Sequence, residues 1–273
     1  MAEVVSFREG GTSSPLVIEE NAGILRLTLN SPPANALSTA MMQALLGQIR
    51  RADTEPSIRV VIIAALGNVF SAGHDLKELT THRADADGGK AFFEETFALC
   101  TELMLSITRC AKPVIAEVEG LATAAGCQLV STCDLAVSTD TATFCTPGVN
   151  IGLFCSTPMV AISRAAHRKQ AMEMLLTGET IDASTAKDFG LINRIVPKQY
   201  LRQVVDKYAG VIASKSPLTL KIGKEAFYRQ IGMPVEDAYA HASRVMTENM
   251  LTRDAEEGIG AFLEKRHAVW TGE

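Results

Sequence analysis

The chain has 273 residues, 47% of them hydrophobic and 21% charged, with a formal net charge of −5 at pH 7. That length and balance fit a soluble globular protein with a sizeable core, and the acidic charge, with no dense Lys/Arg cluster, excludes nucleic acid as a partner. No apolar run is long enough to span a bilayer, which excludes a membrane-embedded class and a membrane partner.

Cys100, Cys110, Cys127, Cys133, Cys145 and Cys155 sit mostly among apolar or small neighbours and form no Cys-x-x-Cys pair. They read as reduced structural thiols rather than disulfides or a zinc site. The five histidines are scattered, so no metal site is expected. Met1–Gly11 holds Glu3, Arg8 and Glu9 and lacks both the basic-then-apolar layout of a signal peptide and the Arg/Ser-rich pattern of a transit peptide. A cytoplasmic setting is therefore the expectation.

Along the chain, Leu16–Ile18 and Ile24–Leu29 predict two strands joined by the turn Glu20-Asn21-Ala22-Gly23. Asn30-Ser31-Pro32-Pro33 ends the second strand, and Ser38 has the position of an N-cap for a helix carrying Met41, Leu45, Leu46 and Ile49. Arg59–Ala65 is a nearly continuous apolar run, which suits a strand covered on both faces. The polar stretch Thr80–Lys90 predicts a mobile loop, followed by a helix over Ala91–Cys110 and a strand over Val114–Val118. A helix from about Ala124 then leads to a strand over Leu135–Ser138. This alternation predicts α/β architecture.

Beyond it the pattern turns helical: Ala161–Leu176 ended by Gly178, and Ala183–Phe189 ended by Gly190, with a last strand over Leu191–Val196. Ser216-Pro217 reads as an N-cap with proline at the first helical position, opening helices near 217–230, 234–250 and 254–267. Asp254-Ala255-Glu256-Glu257 has capping-box spacing. The boundary between residues 1–210, a core, and 211–273, a helical region, falls near residue 210.

Two turns carry the chemistry. Phe70-Ser71-Ala72-Gly73-His74-Asp75-Leu76-Lys77-Glu78-Leu79 and Gly120-Leu121-Ala122-Thr123-Ala124-Ala125-Gly126-Cys127-Gln128 each follow an apolar β-branched run and open a helix with small residues. Helix starts present free backbone N–H groups. Two of them facing one another would make an oxyanion hole for a thioester carbonyl that becomes an enolate or a tetrahedral anion. Tight helix-to-sheet packing explains Ala/Gly-rich turns equally well one at a time; their pairing, with Lys77 one turn into the first helix, favours function.

These segments, with Ala34–Leu37, Lys112–Ala116, Cys133–Leu135, Leu176–Gly178, Ala186–Leu191 and Glu257–Arg266, resemble the crotonase, or enoyl-CoA hydratase/isomerase, superfamily over nearly the whole chain. The resemblance implies a spiral of ββα units and a C-terminal helical region that builds a homotrimer or a hexamer of paired trimers. It implies an acyl-CoA thioester as partner and no tightly bound cofactor, coenzyme A entering as part of the substrate. By position, the N–H groups of His74 and Ala125 form the oxyanion hole, Ala72 meets the adenine and Lys77 the phosphate region. Phe262 and Lys265 reach the coenzyme A of a neighbouring subunit. The plainer readings are a solvated helix residue for Lys77, helical core for Phe262, a surface cation for Lys265, and no role for the His74 ring.

The chain departs from the hydratase pattern where two glutamates hold and activate water. The matching positions are Gln128 and Gly148, and neither can act as a general acid or base. The expectation is an enoyl-CoA hydratase/isomerase-type enzyme with an altered catalytic pair. The alternatives are a decarboxylase-like or thioester-hydrolysing relative, or a non-catalytic acyl-CoA carrier or sensor. Asn150 could hold a water or carbonyl and Cys155 could be a nucleophile. Glu117 and Glu119, two apart on a strand and so on one face, read as a solvent-exposed pair.

Overall fold

The structure is a computed structural model and describes residues 14–273; the layout read at Met1–Gly11 lies outside the described residues. Strands β1 (Leu16–Asn21) and β2 (Ile24–Leu29) pair antiparallel, with Asn21 opposite Ile24. Only Ala22 and Gly23 separate them, at φ 49° and 80°, the left-handed pair that a two-residue hairpin on twisted strands requires. Helix α1 (Thr39–Thr54) is capped by the Ser38 hydroxyl, which accepts from Met41 N, and buries Met41, Met42, Leu45, Leu46 and Ile49.

A strand–strand–helix unit then recurs three times. The first is β3 (Val60–Ala65), β4 (Val69–Ser71), α2 (Leu76–Thr81) and α3 (Lys90–Arg109); the second is β5 (Val114–Val118), β6 (Leu121–Thr123) and α4 (Ala125–Thr132). The third is β7 (Leu135–Thr139), β8 (Thr143–Cys145), α5 (Pro158–Ala165) and α6 (Arg168–Thr177). Strand β9 (Ile181–Asp182), α7 (Ala183–Phe189), β10 (Arg194–Val196) and α8 (Leu201–Ala213) follow, then α9 (Pro217–Gln230), α10 (Val235–Met250) and α11 (Arg253–Glu264).

The leading strands form one sheet, β1-β2-β3-β5-β7-β10, parallel from β2 onward. The short following strands form a second, β4-β6-β8-β9. Each unit thus advances one strand in both sheets, which makes the spiral. The corners stack closely: a Cβ on Gly120, between β5 and β6, would lie 2.0 Å from the carbonyl oxygen of Asn68, between β3 and β4. Strand β3 is buried on both faces, as its apolar run predicts. Val61 and Ile63 enter the main core, while Val60 and Ile62 join Ile115 and Val137 beneath Leu201, Val205 and Ala209 of α8.

Several expectations are corrected. The segment 161–176 is two helices, α5 and α6, broken at the extended His167. Ile162 and Ala171 are both buried, yet at ~100° per residue they would face opposite sides of one helix; the break lets both point inward. Thr80–Lys90 is a compact turn. His82 hydrogen-bonds Asp85 at 2.8 Å and stacks on Phe92, and Asp87 accepts from the N–H groups of Gly89 and Ala91. The last strand starts only at Arg194. Helix α11 is capped by Thr252, whose hydroxyl accepts from Ala255 N, and ends at Glu264. Asp254 is not its cap: it is buried and accepts from Ser216 Oγ and from the N–H groups of Thr271 and Gly272.

Candidate active site

The segment Ala34–Leu37 is fixed first. Asn35 is buried at φ 46°, a left-handed conformation that asparagine tolerates better than most residues. Its Nδ2 donates to the carbonyls of Leu66 and Val69 while its Oδ1 accepts from Ser31 N. The segment then holds the first turn: Ala72 N donates to Ala34 O at 2.9 Å, and Leu37 N to Gly73 O at 2.7 Å. Asp75 caps α2, its carboxylate accepting from Lys77 N and Glu78 N, and Glu78 reaches back to accept from Thr39 N at the start of α1.

The second turn locks into the first. A Cβ on Gly73 would stand 2.9 Å from both Ala124 Cβ and Ala125 N, and one on Gly126 would stand 2.3 Å from the Ser71 carbonyl oxygen. Neither contact leaves room for a side chain, so the small residues are there for backbone-to-backbone approach. Ala124 holds φ 50° and ψ −120°, a strained conformation for a residue with a Cβ, and its N–H is anchored on Cys145 O. Ala125 is the first residue of α4, where an N–H has no partner within its own helix. Among the hydrogen bonds of the described residues, the His74 N–H donates to no acceptor.

Helix α3 borders this junction. Phe97 packs edge-on against the His74 ring with centroids 5.4 Å apart. One turn on, Cys100 Sγ lies 3.9 Å from Gln128 Oε1. Burial pushes the His74 imidazole below its usual pKa, an effect that the nearby Leu37 carbonyl and Glu78 carboxylate only partly offset. Burial also pushes the Cys100 and Cys127 thiols up to about 12.

The turn carrying Ala72 and His74 thus abuts the turn carrying Ala125, with Gln128 one helical turn further along α4. Gly148 is buried in a 3₁₀ turn (Pro147–Ile151) before α5, which packs on α4. A Cβ on Gly148 would lie 2.7 Å from Leu153 O and 2.9 Å from Cys155 Sγ. Burial raises the pKa of the Cys155 thiol, eased only in part by the Gly148 N–H. Asn150 is exposed, and its amide nitrogen would lie 3.2 Å from a Cβ on Gly178. Lys77 is exposed on α2. Phe262 is 82% exposed on α11, which packs against α9 and α10, and Lys265 ends that helix in the left-handed conformation.

The exposed Glu117–Glu119 pair is corrected. Glu117 is only 12% exposed and is bound at 2.6 Å by the buried Arg26, which also holds Asp206 of α8 at 2.7 Å. Glu119 pairs with Lys198. Glu117 holds the Arg26 that reaches α8, and Glu119 ties the end of β5 to the chain after β10.

The sequence profile of the enoyl-CoA hydratase/isomerase family matches residues 19–273. The chain belongs to this family. Among its similar members is the mitochondrial enoyl-CoA hydratase domain-containing protein 3 of Xenopus laevis, 48% identical over 256 residues, 93% of this chain and 85% of the relative. The Homo sapiens protein of the same name is 46% identical over 252 residues, 92% of this chain and 82% of the relative. The Thr146–Cys155 segment is similar to this same subgroup.

Two solved members of the family superpose closely. The crystal structure of human enoyl-CoA hydratase domain-containing protein 3 matches with a TM-score of 0.89 at 45% identity, covering 94% of this chain and 100% of that one. An enoyl-CoA hydratase of Mycobacterium smegmatis matches with a TM-score of 0.89 at 46% identity, covering 94% and 99%. The ββα spiral is thereby the family fold. The vertebrate relatives are named as mitochondrial, which corrects the cytoplasmic setting expected from Met1–Gly11 and points to the mitochondrion instead. That expectation rested on the residue layout of a short terminal stretch alone.

Sequence reasoning missed the residues that build the site from behind: Asn35, Ser71, Glu78 and Phe97. Asn35 after two prolines carries a signal, since asparagine is the non-glycine residue suited to a left-handed turn; the others act through contacts far apart in the chain.

Proposed function

We propose that this protein binds an acyl-CoA thioester and stabilises its enolate between the N–H groups of His74 and Ala125. The observation that carries the reading is the interlock of the two turns, where Gly73 abuts Ala125 N and Gly126 abuts the Ser71 carbonyl. That close backbone approach supports reading the two N–H groups as neighbouring donors. Preorganised donors of this kind need no reorientation as charge develops on the oxygen. Ala72 then lies beside the adenine, Lys77 meets the phosphates, and residues 211–273 assemble a homotrimer or hexamer in which Phe262 and Lys265 serve a neighbouring copy.

The hydratase glutamates are replaced by Gln128 and Gly148, and a positioned acid or base is worth roughly 10²–10⁴-fold. Hydration at the usual rate is not expected. Cys155 does not supply a nucleophile in their place, because burial keeps its thiol protonated and a thiolate is the reactive form. Chemistry that leans on the oxyanion hole remains: enolate formation with α-proton exchange, or decarboxylation, which makes the enolate without a strong base. A second reading, a carrier or sensor of acyl-CoA, is favoured by the filled space at Gly148.

The test is mass spectrometry of an acyl-CoA panel, crotonyl-CoA and methylmalonyl-CoA included, incubated with the protein in heavy water. The expected result is α-deuterium uptake or loss of carbon dioxide above the protein-free control, with little water addition. Confirmed binding without change in any thioester would replace the enzyme by the carrier.

A further inference from the structure

The His74 side chain is set among acceptors. Leu37 pairs with His74 in an isolated parallel bridge, and its carbonyl faces the ring. The Glu78 carboxylate faces it as well, and is fixed from outside the turn by accepting from Thr39 N at 3.1 Å. Phe97 covers the ring edge-on. Both ring nitrogens and the Thr39 hydroxyl are closed to solvent and lack a hydrogen-bond partner among the described residues. Buried polar atoms nearly always have one, so each exception calls for an explanation.

A neutral imidazole has one donor and one acceptor nitrogen, whereas an imidazolium donates from both. Between two acceptors, one added proton would give each nitrogen a partner already facing it. Burial opposes that proton and leaves the ring neutral at pH 7, so a further negative charge is needed to draw it in. The surrounding elements supply none that is free. Helix α1 brings Thr39, α3 brings Phe97 and the second turn brings Ala124 and Ala125, all uncharged. On α2, Asp75 is taken up by Lys77 N and Glu78 N, and Lys77 is exposed. The remaining source is an anion at the His74 N–H, on the same residue as the ring.

We infer that His74 and Glu78 form a charge-balancing pair behind the oxyanion hole: the ring takes up one proton from solvent as the thioester oxygen becomes negative. The inference rests on the acyl-CoA reading above. The enolate brings one negative charge and the ring one positive, so the buried turn gains no net charge. The same geometry sets the Glu78 carboxylate against the oxyanion, since like charges repel and exclusion of water strengthens the effect. Neither side chain touches a reacting atom in this account; both are positioning residues that act through the first turn.

Acetoacetyl-CoA is the probe, a β-keto thioester that ionises at its α-carbon to an enolate with its own ultraviolet absorbance. The full chain, saturated with it, is titrated downward in pH, and the point of half-loss of the enolate is compared for wild type, His74→Gln and Glu78→Gln. Each is checked for folding by circular dichroism. His74→Gln should lose the enolate about 0.5–1 pH unit above the wild type, a roughly three- to tenfold change. Glu78→Gln, which keeps an acceptor for Thr39 N and drops the charge, should lose it about as far below. In the wild type at about pH 6, the nitrogen resonances of the ring that contacts Phe97 should be those of an imidazolium with acetoacetyl-CoA and of a neutral imidazole with free coenzyme A. Shifts of the same sign in both variants, no shift in either, or a neutral ring in the enolate complex would overturn the pair and leave the acyl-CoA reading standing. Failure of both acetoacetyl-CoA and coenzyme A to bind would overturn that reading and the pair with it.

Discussion

At Gly148, the Leu153 carbonyl and the Cys155 thiol already stand within 3 Å of where a Cβ would begin. A glutamate introduced there must push aside a backbone oxygen as well as a side chain, and overpacking a close-packed site costs about 1–3 kcal/mol. Gln128→Glu with Gly148→Glu is therefore expected to leave crotonyl-CoA hydration near background and to lower the melting temperature. Adding Cys155→Ala should recover part of the stability and the first measurable hydration. Full hydration in the double variant, with an unchanged melting temperature, would show that the turn accepts the carboxylate as it stands. The altered pair Gln128 and Gly148 is legible in the sequence by position against the family pattern. The plug is not, because Cys155 comes back onto Gly148 only through the turn after Pro147.

The helical elements show where periodicity suffices and where it fails. Helix α1 follows its apolar spacing and its Ser38 cap as read, while α8 goes unread despite Leu201, Val205 and Ala209 at helical intervals, all buried. The break between α5 and α6 is legible in hindsight, since no single helix face holds both Ile162 and Ala171. In the C-terminal region, Asp134 of the core anchors α9 by accepting from Lys224 Nζ at 2.6 Å and Tyr228 OH at 2.8 Å. Asp254 closes the end of the chain. Burial raises its pKa, but hydrogen bonds from Ser216, Thr271 and Gly272 outweigh burial and hold the carboxyl below its usual range. A carboxylate whose folded pKa is depressed stabilises above its unfolded pKa, about 3.9, and loses that contribution as pH falls through the folded value. Trp270, the single tryptophan, donates to Ser214 O beside this clamp. Its fluorescence should hold steady from neutral pH to about 5 and shift below about 4. Asp254→Asn should show the shifted signal already at neutral pH. An identical acid profile in that variant would remove Asp254 as the cause.

At the scale of the whole molecule, the large parallel sheet can be read from long β-branched runs, but the second sheet cannot. Strands β4, β6 and β8 have three residues each, too few for a period of two to register, so the ββα spiral rests on resemblance until the pairing is seen. Strands β4 and β6 end at the two turns of the proposed site, and their close stacking is what sets the turns against one another. The C-terminal helices carry large exposed apolar side chains. Leu251 is 83% exposed, Leu263 73% and Tyr239 73%, and an apolar groove of about 420 Å³ runs past Leu220, Met246, Ile259 and Trp270. Contiguous exposed apolar surface marks association sites, and these side chains therefore support the proposal that Phe262 and Lys265 serve a second copy. The most direct measurement is the crystal structure of the complex with butyryl-CoA. The thioester oxygen is expected about 3 Å from both the His74 and the Ala125 nitrogen, with adenine at Ala72, phosphates at Lys77, and Lys265 of a neighbouring copy beside the same coenzyme A. A thioester bound away from the two turns, or an oxygen that meets neither N–H, would contradict the oxyanion hole.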